Sequence, residues 1–249
     1  MIASKTSPNG SSARSRTLLT RLAFVALLSL PATSSHAGLI SSNGGAGGSG
    51  LGSFTGFFGV SNNTATTATI TVTLTNTSPA ANGGFITAFA FNNPGTASGG
   101  DIDGVDSFTS TDPDFGVLGG PDVSDSISAS PFGSFSIGAS VGGSLLGGGR
   151  PQPGIGVGES ATFTFNVTGT NLQNLSQASL GSALSDGSGE PSTFFVVRFK
   201  GFEDGGSDKV VAAEPDVAPV PEPGTITMAL IGSIPLGLAA WRRRKRSIV

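Results

Sequence analysis

Cysteine and tyrosine are absent from this 249-residue chain, His36 is its sole histidine and Trp241 its sole tryptophan. Without cysteine there is no disulfide scaffold, thiolate zinc site, iron–sulfur cluster or thiol nucleophile. His36 lies in a segment with the marks of a removable leader, so the remaining chain carries no imidazole. That excludes Ser-His-Asp triads, histidine bases and histidine metal ligands together. Chemistry is left to carboxylates, lysine, arginine and hydroxyls. Charge is scarce as well: 12% of residues are charged, while glycine alone fills 39 positions. The length suits one domain with flanking segments.

The formal net charge of −3 conceals three unlike regions. Residues 1–37 carry Lys5, Arg14, Arg16 and Arg21 and no acid. Residues 38–220 set 15 acids against Arg150, Arg198, Lys200 and Lys209, and residues 221–249 set Glu222 against five bases. An acidic middle repels phosphate backbones, so nucleic acid is not an expected partner. The basic ends point to membranes.

Residues 1–37 read as a secretory signal peptide. A basic region ends at Arg21, Leu22–Leu30 is a short apolar stretch, and Pro31 breaks it. Ser35-His36-Ala37 then places small residues at the −3 and −1 positions of a cleavage site before Gly38. The apolar stretch is too short to span a bilayer. Signal peptidase and the secretion machinery are the implied partners.

The other end has a different order. Val220-Pro221-Glu222-Pro223-Gly224 leads into an apolar segment, Thr225–Trp241, and Arg242, Arg243, Arg244, Lys245 and Arg246 follow at once. As a helix that segment reaches about 25 Å, slightly less than the hydrocarbon thickness. Trp241 suits the headgroup boundary, and the basic cluster suits the cytoplasmic side. A plain tail anchor explains the apolar run and the arginines, but not the Pro-Glu-Pro placed just outside the membrane.

In these features the tail resembles the PEP-CTERM sorting signal: Pro221-Glu222-Pro223, a transmembrane helix over Thr225–Trp241, and the Arg242–Arg246 cluster. Pro235 inside the helix departs from the pattern. The resemblance implies recognition by an exosortase, a membrane protease or transpeptidase of Gram-negative bacteria that make exopolysaccharide. It further implies export, a transient stay in the inner membrane, and release to the cell surface or the extracellular biofilm matrix. It assigns a route and no activity to what is delivered.

Between the two signals, residues 38–50 read as a flexible Gly/Ser-rich leader, 51–211 as the passenger domain, 212–220 as a Pro-rich linker and 221–249 as the sorting signal. The passenger pattern has period two. Thr69–Thr75 alternates hydroxyls with Ile70, Val72 and Leu74, and Thr162–Thr168 does the same with Phe163, Phe165 and Val167. Phe85–Phe91 and Phe194–Lys200 are further strands, with Phe54–Val60 and Phe132–Ile137 weaker. Only Asn171–Leu184 hints at a helix, kept short by Gly181 and its serines. Short antiparallel strands joined by Gly/Asn/Pro-rich loops predict an all-β fold, a β-sandwich with a core of phenylalanine, plus the one C-terminal transmembrane helix. The pieces Thr71–Ser78, Phe85–Phe91, Phe195–Phe199 and Gly205–Lys209 also resemble passenger domains joined to PEP-CTERM tails, which carry no known catalytic residues.

Three features invite a chemical role. The stretch Asp101–Asp125 holds Asp101, Asp103, Asp106, Asp112, Asp114, Asp122 and Asp125. Asp101, Asp103 and Asp106 around Gly104 resemble part of a calcium loop, without its bidentate glutamate, and the alternative is a solvated acidic loop. No cofactor other than calcium is expected, and calcium would serve a carbohydrate-binding or adhesion module. Paired carboxylates also fit glycoside hydrolysis, but the aromatic platform is thin: Trp241 lies in the tail, and a Phe stacks without donating a hydrogen bond. Glu203–Lys209 reads as a polar hairpin loop, with Lys209 near Asp208 or Glu203. Asn-X-Ser/Thr triplets begin at Asn62, Asn76, Asn166 and Asn174, as Thr-rich strands readily produce. The reading favoured is a secreted, non-enzymatic surface or matrix protein.

Overall fold

The computed structural model describes residues 36–42, 48–97, 99–119, 123, 124, 126–146, 150–186 and 191–213, with side chains from Gly38 onward. The expected signal peptide up to residue 35, Asp122, Asp125, the linker from 214, the Pro221-Glu222-Pro223 motif, the expected transmembrane helix Thr225–Trp241 and the Arg242–Arg246 cluster lie outside these residues. Among the described residues no helix is long and apolar enough to cross a membrane.

Twelve strands form among the described residues: β1 (His36–Ser41), β2 (Phe54–Ser61), β3 (Thr67–Asn76), β4 (Gly83–Phe91), β5 (Asp101–Ser110), β6 (Gly116–Leu118), β7 (Ile127–Ser128), β8 (Ser134–Phe135), β9 (Ile137–Ser140), β10 (Ser160–Thr170), β11 (Phe195–Phe202) and β12 (Ser207–Val211). The fold is all-β and antiparallel. One five-stranded sheet runs β1-β2-β3-β10-β5, a second runs β12-β11-β4-β9-β6, and β7 and β8 make a small hairpin. The helical hint resolves into a 3₁₀ turn, Leu172–Asn174, and a six-residue α1, Gln177–Ser182, capped reciprocally by Ser176 and Ser179.

The period-two pattern works as expected in β3 and β10. Ile70, Val72 and Leu74 are buried, as are Phe163, Phe165 and Val167, while the threonines between them remain accessible. The inward faces of the two sheets meet through phenylalanine. Phe89 of the second sheet lies 4.7 Å from Phe163 of the first, Phe91 lies 5.1 Å from Phe58 and 5.5 Å from Phe165, and Phe195 lies 5.5 Å from Phe58. These rings are fully buried. Tilted and edge-on aromatic pairs add about 0.5–1.5 kcal/mol each beyond their burial. Phenylalanine needs no buried hydrogen-bond partner.

Two stretches depart from expectation. Residues 38–41, read as part of a flexible leader, lie in β1, paired with β2 from His36↔Val60 to Ser41↔Thr55. Ile40 is buried in the core, and this one apolar anchor outweighs the glycine-rich composition around it. Ser42 bridges Ala212, and the Ala213 amide donates to the Ser41 carbonyl at 2.8 Å, so β1 and β12 join the two sheets along one side. Residues 101–110, read as a loop, form a ten-residue strand.

Candidate functional site

The aspartates singled out for calcium belong to β5, which lies at the open end of the first sheet. Ile102 and Val105 point into the core, which is what draws this acidic segment into the sheet. Its register against β10 slips twice. Asn166 pairs with Ser107 and Val167 with Val105, leaving Asp106 unpaired; Thr168 pairs with Gly104 and Gly169 with Ile102, leaving Asp103 unpaired. Asp103 and Asp106 are thus exposed side chains at β-bulges on an edge strand. Charges and bulges at an edge keep another strand from adding to it. Asp101 instead accepts from the Asn93 side-chain amide at 2.7 Å. The loop reading is corrected accordingly, and among the described residues no group of three or more His, Cys, Asp or Glu converges on a common metal position.

The Glu203–Lys209 segment is the turn and second strand of the β11–β12 hairpin. Asp208 faces inward, 4% exposed, and accepts from the backbone amides of Ser49 (2.8 Å), Leu51 (3.1 Å) and Gly52 (3.2 Å). Lys209 faces the other way and donates to the Ser130 carbonyl. It stands directly opposite Arg198, and Lys200 is two residues further along β11. Burial lowers the Arg198 pKa; burial and the Arg198 charge both lower those of Lys200 and Lys209. The nearby Asp208 carboxylate raises that of Lys209 in part.

Of the Asn-X-Ser/Thr triplets, Asn76 is internal. Its amide donates to the carbonyls of Gly84 (3.0 Å) and Ile155 (2.9 Å), and its oxygen accepts from the Ser78 amide. Asn62, Asn166 and Asn174 are exposed. An open depression lined by Leu118, Ile127, Leu145 and the hydroxyl residues Ser126, Ser128 and Ser144 has no titratable group in its wall.

The most regular surface is the outward face of the first sheet. Strand pairing aligns its side chains in rows: Ser41–Thr55–Thr75–Ser160, Leu39–Phe57–Thr73–Thr162, Gly59–Thr71–Thr164–Thr109 and Ser61–Thr69–Asn166–Ser107. No residue of β2, β3 or β10 is charged. Neighbouring side chains bond across strands: Thr73 to Thr162 at 2.9 Å, Thr75 to Ser160 at 2.7 Å, Thr69 to Asn166 at 3.0 Å and Asn166 to Ser107 at 2.9 Å. Sequence reading took these threonines only as the wet side of strands; which strands lie side by side is what makes them a surface.

No model of a known protein family, no curated protein and no solved structure matches the chain.

Proposed function

We propose that the chain is a secreted, non-enzymatic β-sandwich protein of the bacterial cell surface or exopolysaccharide matrix, delivered by an exosortase-type membrane protease. The observation that carries this reading is the order of three elements in the sequence: Pro221-Glu222-Pro223, the apolar Thr225–Trp241 and the Arg242–Arg246 cluster. In this reading Thr225–Trp241 spans the inner membrane as a helix for a time. The basic cluster holds its cytoplasmic end, and Glu222 with its flanking prolines is presented to the protease outside. Signal peptidase cuts between Ala37 and Gly38, which leaves Gly38–Ser41 of β1 paired with β2. The composition of the passenger supports a structural role, since its residues from Gly38 to Val220 lack both cysteine and histidine.

Terminal mass spectrometry of the native protein, recovered separately from membrane and matrix fractions, tests the reading. Export with processing gives a chain starting at Gly38 and ending near Pro221–Gly224 in the surface fraction. Val249 intact in the inner membrane would make it an ordinary anchored protein. Replacing Pro221, Glu222 and Pro223 together by alanine should leave translocation intact and strand the untrimmed chain in the inner membrane.

A further inference from the structure

The outward face of β2, β3 and β10 is a surface for which stability alone gives no account. An exposed sheet face ordinarily carries charges of both signs, because these keep it solvated and solitary. Here the outward positions are threonine, serine, asparagine, Phe57 and the buried Gly59, with the central Thr71, Thr73, Thr162 and Thr164 half-buried. The surrounding domain is strongly acidic, so the absence of charge is local.

The face has three physical properties. Its hydroxyls repeat about 6.7 Å apart along a strand and about 4.8 Å between strands. They are held in place, because threonine is stiff at χ1 and the cross-strand bonds Thr73–Thr162, Thr75–Ser160 and Thr69–Asn166 fix the rotamers. In the adjoining row the hydroxyls of Thr71, Thr164 and Thr109 take no part in these cross-strand bonds among the described residues; Thr109 is exposed and Thr71 and Thr164 are half-buried. Beside this row stands Phe57, 52% exposed, paired directly with Leu39, 57% exposed. Gly59, next along β2 on the same face, places no side chain against the ring.

We infer that this face binds a neutral polysaccharide, with Phe57 as the ring on which a sugar stacks and Thr71, Thr164 and Thr109 as its hydrogen-bonding grid. Sugar hydroxyls donate and accept, as threonine hydroxyls do, and the C–H face of a pyranose packs on an aromatic ring. The phenylalanine supplies no hydrogen bond and the adjacent threonines supply it instead. An anionic polymer meets no positive charge on these strands and an acidic domain around them. Among the described residues of this face a second copy of the chain would find Leu39 and Phe57 as large apolar contacts, too little for a stable interface. A preordered grid loses little entropy on binding, which suits many weak contacts along one polymer. The inference rests on the matrix reading for the setting in which such a polymer is met.

The test is affinity electrophoresis of the full chain in a detergent without a sugar headgroup. Native gels are cast with hydroxyethylcellulose, dextran or galactomannan, and with alginate as the anionic polymer. At least one neutral polymer is expected to retard the chain and alginate is not. Phe57→Ala should weaken the retarding affinity about tenfold, and Thr71→Val with Thr164→Val should weaken it further. Thermal melts by circular dichroism establish that these surface variants remain folded. The inference is overturned by retardation in none of the neutral gels, in alginate alone, or equally for wild type and variants. Concentration-dependent self-association that Phe57→Ala abolishes, without retardation, would assign the face to a second copy. None of these outcomes touches trimming near Pro221–Gly224, so normal trimming without retardation fails the polysaccharide inference alone.

Discussion

Asp208 on β12 holds the backbone of Ser49, 159 positions earlier, at 2.8 Å, and the same carboxylate accepts from the amides of Leu51 and Gly52. The segment leading into β2 is thereby tied to the opposite sheet. Asp208→Ala leaves three amides without an acceptor and is expected to cost about 3 kcal/mol. Asp208→Asn keeps one acceptor oxygen and should lose less. Urea unfolding followed by far-ultraviolet circular dichroism reads the difference.

Gly138 on β9 packs against the neighbouring strand so closely that a Cβ there would lie 2.2 Å from the Phe89 carbonyl oxygen. Gly138→Ala must push backbone against backbone and should destabilise by about 3 kcal/mol. Gly205, at φ 77° in the β11–β12 turn, has nothing within 4 Å of an added Cβ. Gly205→Ala pays only for backbone conformation, about 1 kcal/mol. Paired thermal melts should rank the two in that order.

Stability should rise with pH in the alkaline range. The pKa values of Lys200 and Lys209 are lowered in the fold by burial and then by Arg198. Between the folded value and the ordinary lysine value of 10.5 the unfolded chain binds more protons, so unfolding becomes less favourable as pH rises. Tyrosine and cysteine, the other side chains that titrate there, are absent. The urea midpoint should therefore increase as the pH approaches the ordinary lysine value of 10.5 from below, and Lys209→Met should reduce the increase.

Asp103 and Asp106 should matter for solubility rather than for a metal. Changing both to valine removes the charges from the β5 edge and leaves only its bulges to guard it, and is expected to produce concentration-dependent association on gel filtration. Millimolar calcium should leave the wild-type melting temperature unchanged, because these carboxylates sit at separate bulges of one strand. A calcium-dependent rise lost in the double variant would identify them as ligands.

The outcome for individual segments separates what was legible from what was not. Strands β3 and β10 were readable because alternation of threonine with Ile70, Val72, Phe163 and Phe165 is a local property of an extended chain with one buried side. Strand β5 was not, because its run of aspartates resembles a loop, and only pairing with β10 reveals that Ile102 and Val105 reach the core. Strand β1 was hidden in glycine and serine for the same reason: Ile40 alone anchors it, and its partner is a strand further along the chain. Asp208 looked like one more polar residue of a hairpin.

By itself the sequence determined the all-β character, the phenylalanine core and the candidate addresses at both ends, since these follow from periodicity, composition and the order of short segments. Only tertiary structure decided which strands are neighbours. That choice turned scattered threonines into one uncharged face, placed Asp103 and Asp106 at an exposed edge and brought Asp208 to Ser49. Hydrogen bonding between strands joins residues that the chain keeps more than 80 positions apart, as in Thr73 with Thr162, and no local pattern records such a pairing.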